Sequence, residues 1–546
     1  MATTTTSGSA AAETDARSAS GVAPAPVRRQ RRGAPMATFL GRRFLSSLIV
    51  LVGATFIVYM LLAYAIDPLE DLRTSTAPNK AQLIEARINA LNLDTPPALR
   101  WLQWLRGAAG CLVGNCDLGN SWVTGQPVTG MLNGAIQSTV QLVASATFLA
   151  IGLGVVVGIV SALRQYTGFD YTVTFGSFVL YSLPSFWVAV LLKQWGAIGF
   201  NDFLADPVVG TGVTVVLALI AGLVWSAIIG GPLRRRLITF AVAGLATAAV
   251  LVFISATEWL LDPGFGPVVI GALGVGIAYA VVALGAGLKN RRALYSALAT
   301  VAVGVALYYP LQYAFVNASW PLIIGLAVAA VASGILIGYL FGGPDRKVSA
   351  RGAAITAVGI GALIFIDRVM QVWQTYSNST RINGRPIATI GSQTPGLQGD
   401  FWVEVLDKFT HLLLPTIALI LISFAAYTRY SRASLLEVMN HDYIRTARAK
   451  GLPERVVTVR HGFRNSLIPL ATVVPLDIAA LFGGAIITER IFAWSGMGTM
   501  FIKGLQTADA DVVMGYFIVT ATLLVIANIV VDFVYAALDP RIRVNA

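Results

Sequence analysis

The stretch TRYSRASLLEVMNHDYIRTARAKGLPERVVTVRHGFRNSLIP, residues 428–469, is the longest polar and charged segment between apolar spans in the C-terminal half of the chain. Clustered Arg and Lys between two membrane spans favour the cytoplasmic side. Apolar residues from Leu435 to Ala447 recur at roughly helical spacing, which predicts a short amphipathic helix that ends at Gly451. Pro453 is then expected to prevent the helix from resuming. Such a helix, outside the bilayer, is suited to receive force from a soluble partner; an ordinary basic loop that only fixes topology is the alternative interpretation.

The composition indicates a membrane protein. Of the 546 residues, 56% are hydrophobic and only 12% are charged, and the mean hydropathy is +0.71. A soluble protein carries about a quarter charged residues, so we expect an all-α polytopic membrane protein. The net charge of +12 lies in short basic clusters at the ends of apolar spans, a pattern that controls topology rather than phosphate binding. Nucleic acid is therefore not expected as a partner.

The segment Asp442–Gly451, DYIRTARAKG, followed by Leu467-Ile468-Pro469, resembles the EAA loop of bacterial ABC importer permeases. The variant is similar to that of dipeptide, oligopeptide and nickel importers, in the permease subunit of the B type. Arg445 stands where the motif has its name-giving glutamate, and the spacing to Ile468-Pro469 is longer than in the general pattern. Both departures resemble the peptide subfamily.

Further likenesses flank this loop. They are Leu93–Pro96, Trp101–Leu105, Asp117–Ser121, Ser182–Trp187, Gly483–Glu489 and the ending Leu538–Arg543. The resemblance covers about residues 40–196 and 405–546. It implies a six-helix type I ABC importer permease core with a small external segment after the first helix.

In that family the loop is a coupling helix that sits in a cleft of an ATPase subunit. The resemblance assigns this role to Glu437, Asp442, Tyr443, Arg445, Thr446, Ala447, Arg448, Ala449, Lys450 and Gly451. It also implies a homologous second permease subunit, one or two ABC ATPase subunits, an extracytoplasmic peptide-binding protein and membrane lipid as partners. ATP and Mg would bind to the ATPase subunits, because this chain contains no phosphate-binding loop and no catalytic constellation. We expect no enzymatic activity, cofactor or metal on this chain.

The domain organisation follows from where the resemblance is interrupted. We expect a disordered cytoplasmic tail over 1–35, core helices one to three over 40–196 with an external segment at 66–134, a membrane insertion with an external loop over 197–407, and core helices four to six over 408–546 with the coupling loop at 429–465. The core helices are expected at Phe44–Ala65, Gln137–Leu163, Tyr171–Leu192, His411–Tyr427, Ser466–Ile487 and Val513–Leu538.

The insertion contains about six apolar spans, each long enough to cross about 30 Å of hydrocarbon. They lie near 208–229, 237–256, 266–288, 293–313, 319–341 and 352–370. Gly230-Gly231-Pro232 with following arginines recurs as Gly342-Gly343-Pro344, which predicts three tandem hairpins. Because six is even, the chain returns to the side it left. Both termini are therefore expected in the cytoplasm of a bacterial plasma (inner) membrane.

Three residues are expected along the translocation path. Pro184 should kink the third core helix, and Pro475 lies within the fifth. Asp477 is an ionisable residue inside a span, which is costly and therefore a functional candidate. Asp532, in the sixth core helix, is expected to pair with a nearby arginine instead. Cys111 and Cys116 are either a short disulfide or two free thiols.

The sequence thus predicts a permease subunit of an ATP-driven dipeptide or oligopeptide importer. The alternatives are an ion- or proton-coupled secondary transporter, a permease for nickel or another small solute, and a scaffold role for the inserted helices.

Overall fold

The computed structural model describes residues 36–538. The expected tail over 1–35, and the C-terminal likeness beyond Leu538, lie outside the described residues. Within residues 36–538, ten helices are long and apolar enough to cross a membrane, and twelve spans result if two bent pairs each count as one. The predicted class of all-α polytopic membrane protein is confirmed.

The core helices lie before and after the insertion in the sequence. They are α1 (Met36–Ala65), α2 (Val128–Leu163), α3 (Gly168–Ser182) and α4 (Ser185–Leu191) before it, and α11 (Phe401–Met439), α12 (Asp442–Ala449), α13 (Arg464–Gly484) and α14 (Ala510–Leu538) after it. Short helices Lys80–Ala90 and Pro97–Gly110 lie between α1 and α2, and Ile486–Ile491 and Met497–Gln506 lie between α13 and α14. We call the side of the membrane on which α12 lies the basic side.

All six predicted inserted spans are helical. They are α5 (Thr211–Ile229), α6 (Leu233–Thr257), α7 (Gly266–Gly285), α8 (Arg291–Ala306), α9 (Trp320–Phe341) and α10 (Arg346–Gln371). The α8 span continues into Tyr308–Asn317 after a 50° bend.

The three-hairpin arrangement is not confirmed. Helices α5 and α6 pack as one hairpin that contacts α3, whereas α7, α8, α9 and α10 pack on one another as a four-helix group. Close approach in that group depends on small residues, because a Cβ at Gly334 would lie 2.7 Å from the Cα of Ala354. The group has its own buried apolar cluster, which extends to Trp402 in the first turn of α11. The Trp402 indole Nε1 donates to the Phe315 carbonyl at 2.8 Å.

The predicted bounds of the fourth core helix, His411–Tyr427, were wrong at both ends. Helix α11 begins at Phe401, where the Asp400 side chain accepts the Val403 N–H as an N-cap, and it runs to Met439. Arg429 and Arg432 were assigned to a loop because of their charge. The helix continues through them because the Arg429 guanidinium lies 4.7 Å from the Phe178 ring and Arg432 pairs with Asp170.

The third core span is broken rather than kinked. Helix α3 ends at Ser182, Leu183 and Pro184 are extended, and the continuation from Ser185 turns by 100°. Proline has no N–H and disfavours helical conformation in the residue before it, so both residues leave the helix. Pro184 does disturb the helix, as predicted, but the change in direction is larger than a kink. Bounds also differ in α2 and α14, which begin at Val128 and Ala510.

Helices α2 and α11 form the longest contact of the core and run in the same direction. Gly154 and Gly158 of α2 let the two backbones approach. A Cβ at Gly154 would lie 2.7 Å from the Tyr427 Cβ, and one at Gly158 would lie 2.5 Å from the Thr428 carbonyl oxygen. Small residues at such positions are the usual basis of close helix packing in membranes. Around this seam, α13 packs on α14, and α14 packs on α1.

Candidate coupling site

The polar segment 428–469, which we call the basic segment, contains the end of α11, the short helix α12 and a further helical stretch from Glu454, whereas the sequence predicts one helix. Helix α11 carries Leu435 and Val438, the chain then turns at Asn440 and His441, and α12 begins at Asp442. His441 is extended, with ψ of 150°, and its ring stacks on Tyr443. Glu437 therefore belongs to the last turn of the membrane helix α11 and not to the short helix.

Helix α12 ends where Gly451 adopts φ of +73°, the left-handed conformation that glycine tolerates best. Pro453 does not prevent a new helix, as was expected of it, but precedes one, since helical residues resume at Glu454. Proline is favourable just before or at the start of a helix, because its missing N–H would be unpaired there anyway.

One face of α12 is buried against its own chain. Ile444 is 0% exposed and Ala447 is 6% exposed, and both pack with Val457 and Met439. A helix of eight residues is not stable alone in water, so this apolar cluster holds α12 in place. Ala447 is thus part of the attachment of α12 to the membrane helices.

The other face of α12 is exposed and charged. Among the residues that the sequence assigned to coupling, those on this face are Asp442, Tyr443, Arg445, Thr446, Arg448, Ala449 and Lys450. The Arg445 side chain is 73% exposed. Arg448 is partly engaged, because its Nη2 lies 2.8 Å from Glu454 Oε1, and this hydrogen bond raises the pKa of Arg448.

Polar contacts fix α12 and its neighbours to each other. The Ser434 hydroxyl of α11 donates to the Ser466 carbonyl of α13 at 2.8 Å. Asn465 donates to the Tyr443 hydroxyl at 3.1 Å. A displacement of α12 would therefore be transmitted to both α11 and α13.

A buried ion pair that sequence reasoning missed joins α11 to α3. Asp170 is 2% exposed and accepts from Arg432 Nε at 2.7 Å and Arg432 Nη2 at 2.9 Å. It also accepts from the Ser161 hydroxyl at 2.5 Å and the Tyr166 N–H at 3.0 Å. All lone pairs of this carboxylate are thus engaged, which a buried charge requires.

The three residues predicted for the translocation path lie on two elements. Pro184 forms the break between α3 and α4, and α4 packs against the helix Ile486–Ile491. Pro475 and Asp477 lie inside α13, where Asp477 is partly buried beside Tyr427 of α11. Asp532 pairs with Arg43 of α1 at 2.6 Å, as expected.

The insertion contacts the basic segment directly. Arg455, which follows Pro453, donates from Nη2 to the carbonyls of Leu284 at 2.8 Å and Gly285 at 2.6 Å. These carbonyls end α7, so the guanidinium caps an inserted helix at the negative end of its dipole.

We expect the Arg455→Ala variant to loosen this connection. In this variant, the amides of the last turn of α7 and of residues 451–456 should exchange hydrogen for deuterium faster than in the parent protein, because the capping donor is lost. Arg460→Ala is the matched control, since Arg460 is also exposed and basic in the same segment. Equal exchange in the parent and Arg455→Ala proteins would contradict the contact.

The comparisons with known proteins agree with this architecture. Residues 334–544 match the family model described as binding-protein-dependent transport system inner membrane component. Over 155 residues the chain is 41% identical to the oligopeptide transport system permease protein OppB of Mycobacterium tuberculosis, covering 28% of this chain and 48% of that protein. Over 148 residues it is 43% identical to the dipeptide transport system permease protein DppB of Escherichia coli, covering 27% and 42%.

A longer match is to a Brucella ovis protein named as a candidate peptide permease, with 35% identity over 231 residues, covering 41% of this chain and 70% of that protein. The matches to OppB and DppB span less than half the length of those relatives. Fold and sequence together define a multi-pass permease-type membrane protein. The chain belongs to the family of binding-protein-dependent transport system inner membrane components, and the resemblance drawn from its motifs is confirmed.

Proposed function

We propose that this chain is the permease subunit of an ATP-driven importer of dipeptides or oligopeptides and that α12 is its coupling helix. The observation that carries the proposal is the two-sided character of α12. Ile444 and Ala447 attach it to the membrane helices, while Asp442, Tyr443 and Arg445 face solvent. The names of OppB and DppB support peptides as the substrate class.

The coupling works through the attachment of α12. A separate ATPase subunit, which binds ATP and Mg, contacts the exposed face of α12 and moves it when nucleotide is bound or hydrolysed. Arg445 and Lys450 orient this contact, since exposed charges contribute more to orientation than to affinity. The motion passes through the cluster around Ile444 into α11 and through the Ser434–Ser466 hydrogen bond into α13. Helix α13 carries Pro475 and Asp477, which we place along the translocation path.

The orientation follows from the same assignment. The basic side faces the cytoplasm of a bacterial plasma membrane, where the ATPase subunits are, and twelve spans leave both ends of the chain there. The complex contains a homologous second permease subunit, one or two ATPase subunits and an external peptide-binding protein. The inserted helices form an accessory unit at the periphery of the core, supported by the separate apolar cluster of α7–α10.

The test is purification of the intact chain from its native membrane, with identification of the proteins that stay bound. We expect an ATPase subunit with a phosphate-binding loop and a second permease, and a chemical cross-link from residue 445 to the ATPase. A purified, transport-competent complex in which no ATPase contacts α12 would contradict the proposal.

A further inference from the structure

A cavity of about 730 Å³ opens on the side opposite α12. It lies between the end of α1, the segment before α2 and the first turn of α14, and Tyr59, Trp104 and Trp122 are among its walls. Small-molecule sites in proteins typically measure about 300–1,000 Å³ and combine aromatic walls with a few polar groups. The cavity therefore has the size and composition of a ligand site.

Two buried donors beside this cavity lack a hydrogen-bond acceptor, and two charged residues of its lining lack an ion pair, among the described residues. Trp104 is 7% exposed, and its indole Nε1 is buried without a hydrogen-bond acceptor. The Nε of Arg100, on the same helix, is also buried and unpaired. Among the described residues neither Arg100 nor Asp511 forms an ion pair, although both line the cavity. The cavity lining therefore contains one basic and one acidic residue, Arg100 and Asp511, that could pair with charges of an occupant.

Two other charged residues of the lining, Arg87 and Asp509, are already engaged within the chain. Arg87 pairs with Asp71 at 2.6 Å and lies 4.1 Å over the Trp122 ring. Asp509 is 2% exposed and accepts from the Ser121 hydroxyl at 2.6 Å. Burial raises the pKa of Asp509, which favours its neutral form. Arg100 is thus a basic residue, and Asp511 an acidic residue, that line the cavity without an ion pair among the described residues.

The backbone around the cavity is shaped for this arrangement. Gly119 has φ of +84°, and a Cβ there would overlap the Asp511 carboxylate. The Asp117-Leu118-Gly119 motif noted in the sequence therefore gives room to Asp511. A disulfide between Cys111 and Cys116 settles the question left open by the sequence. It closes the short loop between the helix Pro97–Gly110, which carries Arg100 and Trp104, and this motif.

We propose that the cavity binds a small zwitterion, namely a short peptide with free termini. The Arg100 guanidinium donates to its carboxylate, and Asp511 accepts from its ammonium group. This inference rests on the proposed function and deepens it, because it places a second recognition site for the transported class on the membrane subunit itself. Charge-assisted hydrogen bonds at both termini would select free peptides over blocked ones.

The test uses the membrane complex purified with its ATPase subunits and without the external binding protein. Equilibrium binding of labelled tri-alanine is compared with that of N-acetyl-tri-alanine and of tri-alanine amide. We expect each blocked peptide to bind roughly tenfold more weakly than tri-alanine, the scale of losing one charge-assisted hydrogen bond.

Two variants make the test specific. Asp511→Asn should lose the discrimination against the N-acetylated peptide and keep that against the amide, and Arg100→Gln should do the reverse. The exposed residues Arg106 and Glu85 do not line the cavity, so R106Q and E85Q are matched controls that should bind like the parent.

Equal binding of free and blocked peptides, or no binding, would overturn the cavity proposal. Unchanged discrimination in both Asp511→Asn and Arg100→Gln would do the same. These failures are distinguishable from failure of the proposed function, because ATP-driven uptake and its dependence on α12 are measured separately. Arg100→Gln replaces a group that lacks an ion pair in the described chain, so it provides a second readout if Asp511→Asn folds poorly.

Discussion

Replacing Ile444 with aspartate is expected to abolish ATP-driven peptide uptake while the chain remains in the membrane. Ile444 is fully buried in the small cluster that attaches α12. Loss of this packing alone costs roughly 2–5 kcal/mol, and burying an unpaired carboxylate adds to it. An eight-residue helix has no other source of stability of that size. Uptake of labelled peptide into proteoliposomes, together with ATP hydrolysis, measures the effect.

The matched control for this change is Ile444→Val, which keeps the apolar contact and should cost only about 0.5–1.5 kcal/mol. It should retain most of the uptake. Full uptake by Ile444→Asp, at normal abundance of the chain and with the ATPase bound, would refute the role of α12. Loss of uptake in both variants would show that the cluster tolerates no change of shape, so the effect could not be assigned to the loss of an apolar side chain.

The second large effect is expected from Arg432→Ala. Its guanidinium is bidentate to Asp170, which is 2% exposed. The substitution therefore leaves a buried carboxylate with only uncharged donors, from Ser161, Tyr166 and, at 3.5 Å, Thr174. Removing one partner of a buried pair costs about 3–5 kcal/mol. We expect a strong fall in the amount of chain recovered from the membrane and a lower Tm in detergent.

Arg429→Ala is the comparison for this second change. Arg429 is one turn away on α11 and only lies over the Phe178 and Tyr181 rings. An exposed cation–π contact contributes about 0.5–1 kcal/mol, so this variant should be recovered nearly normally. Similar recovery and Tm for Arg432→Ala and the parent protein would show that the Asp170 pair contributes little to stability.

The membrane spans were predictable because each is a continuous apolar run, and hydropathy depends on nothing outside the run. The ends of α11 were not. Arg432 reads as a loop residue until its partner is known, and Asp170 is 262 positions away. The break after Ser182 was underestimated for a related reason. Proline indicates that a helix is disturbed, but the direction of the continuation depends on what α4 packs against.

The site shows the same division. The motif and the helical spacing were enough to locate α12. They could not show which of its residues are buried, because that depends on where Met439 and Val457 lie. Glu437 was included because one continuous helix was assumed across Asn440 and His441. The cavity had no local signal at all, since Arg100 and Asp511 come from opposite ends of the chain. The sequence motifs Trp101–Leu105 and Asp117–Ser121 contribute to its lining, but nothing in them indicates a cavity.

The glycine seam between α2 and α11 determines where this protein can bend. Gly154 and Gly158 of α2 pack against Tyr427 and Thr428 of α11, and no side chain of α2 separates the two backbones there. Sliding of α2 along α11 would create steric overlap, so the two helices are expected to move as one rigid unit. Hinges must then lie elsewhere, and the remaining weak points are the extended link at Pro184 and the prolines of α13. We expect α4 and α13 to rotate at these points relative to α2 and α11.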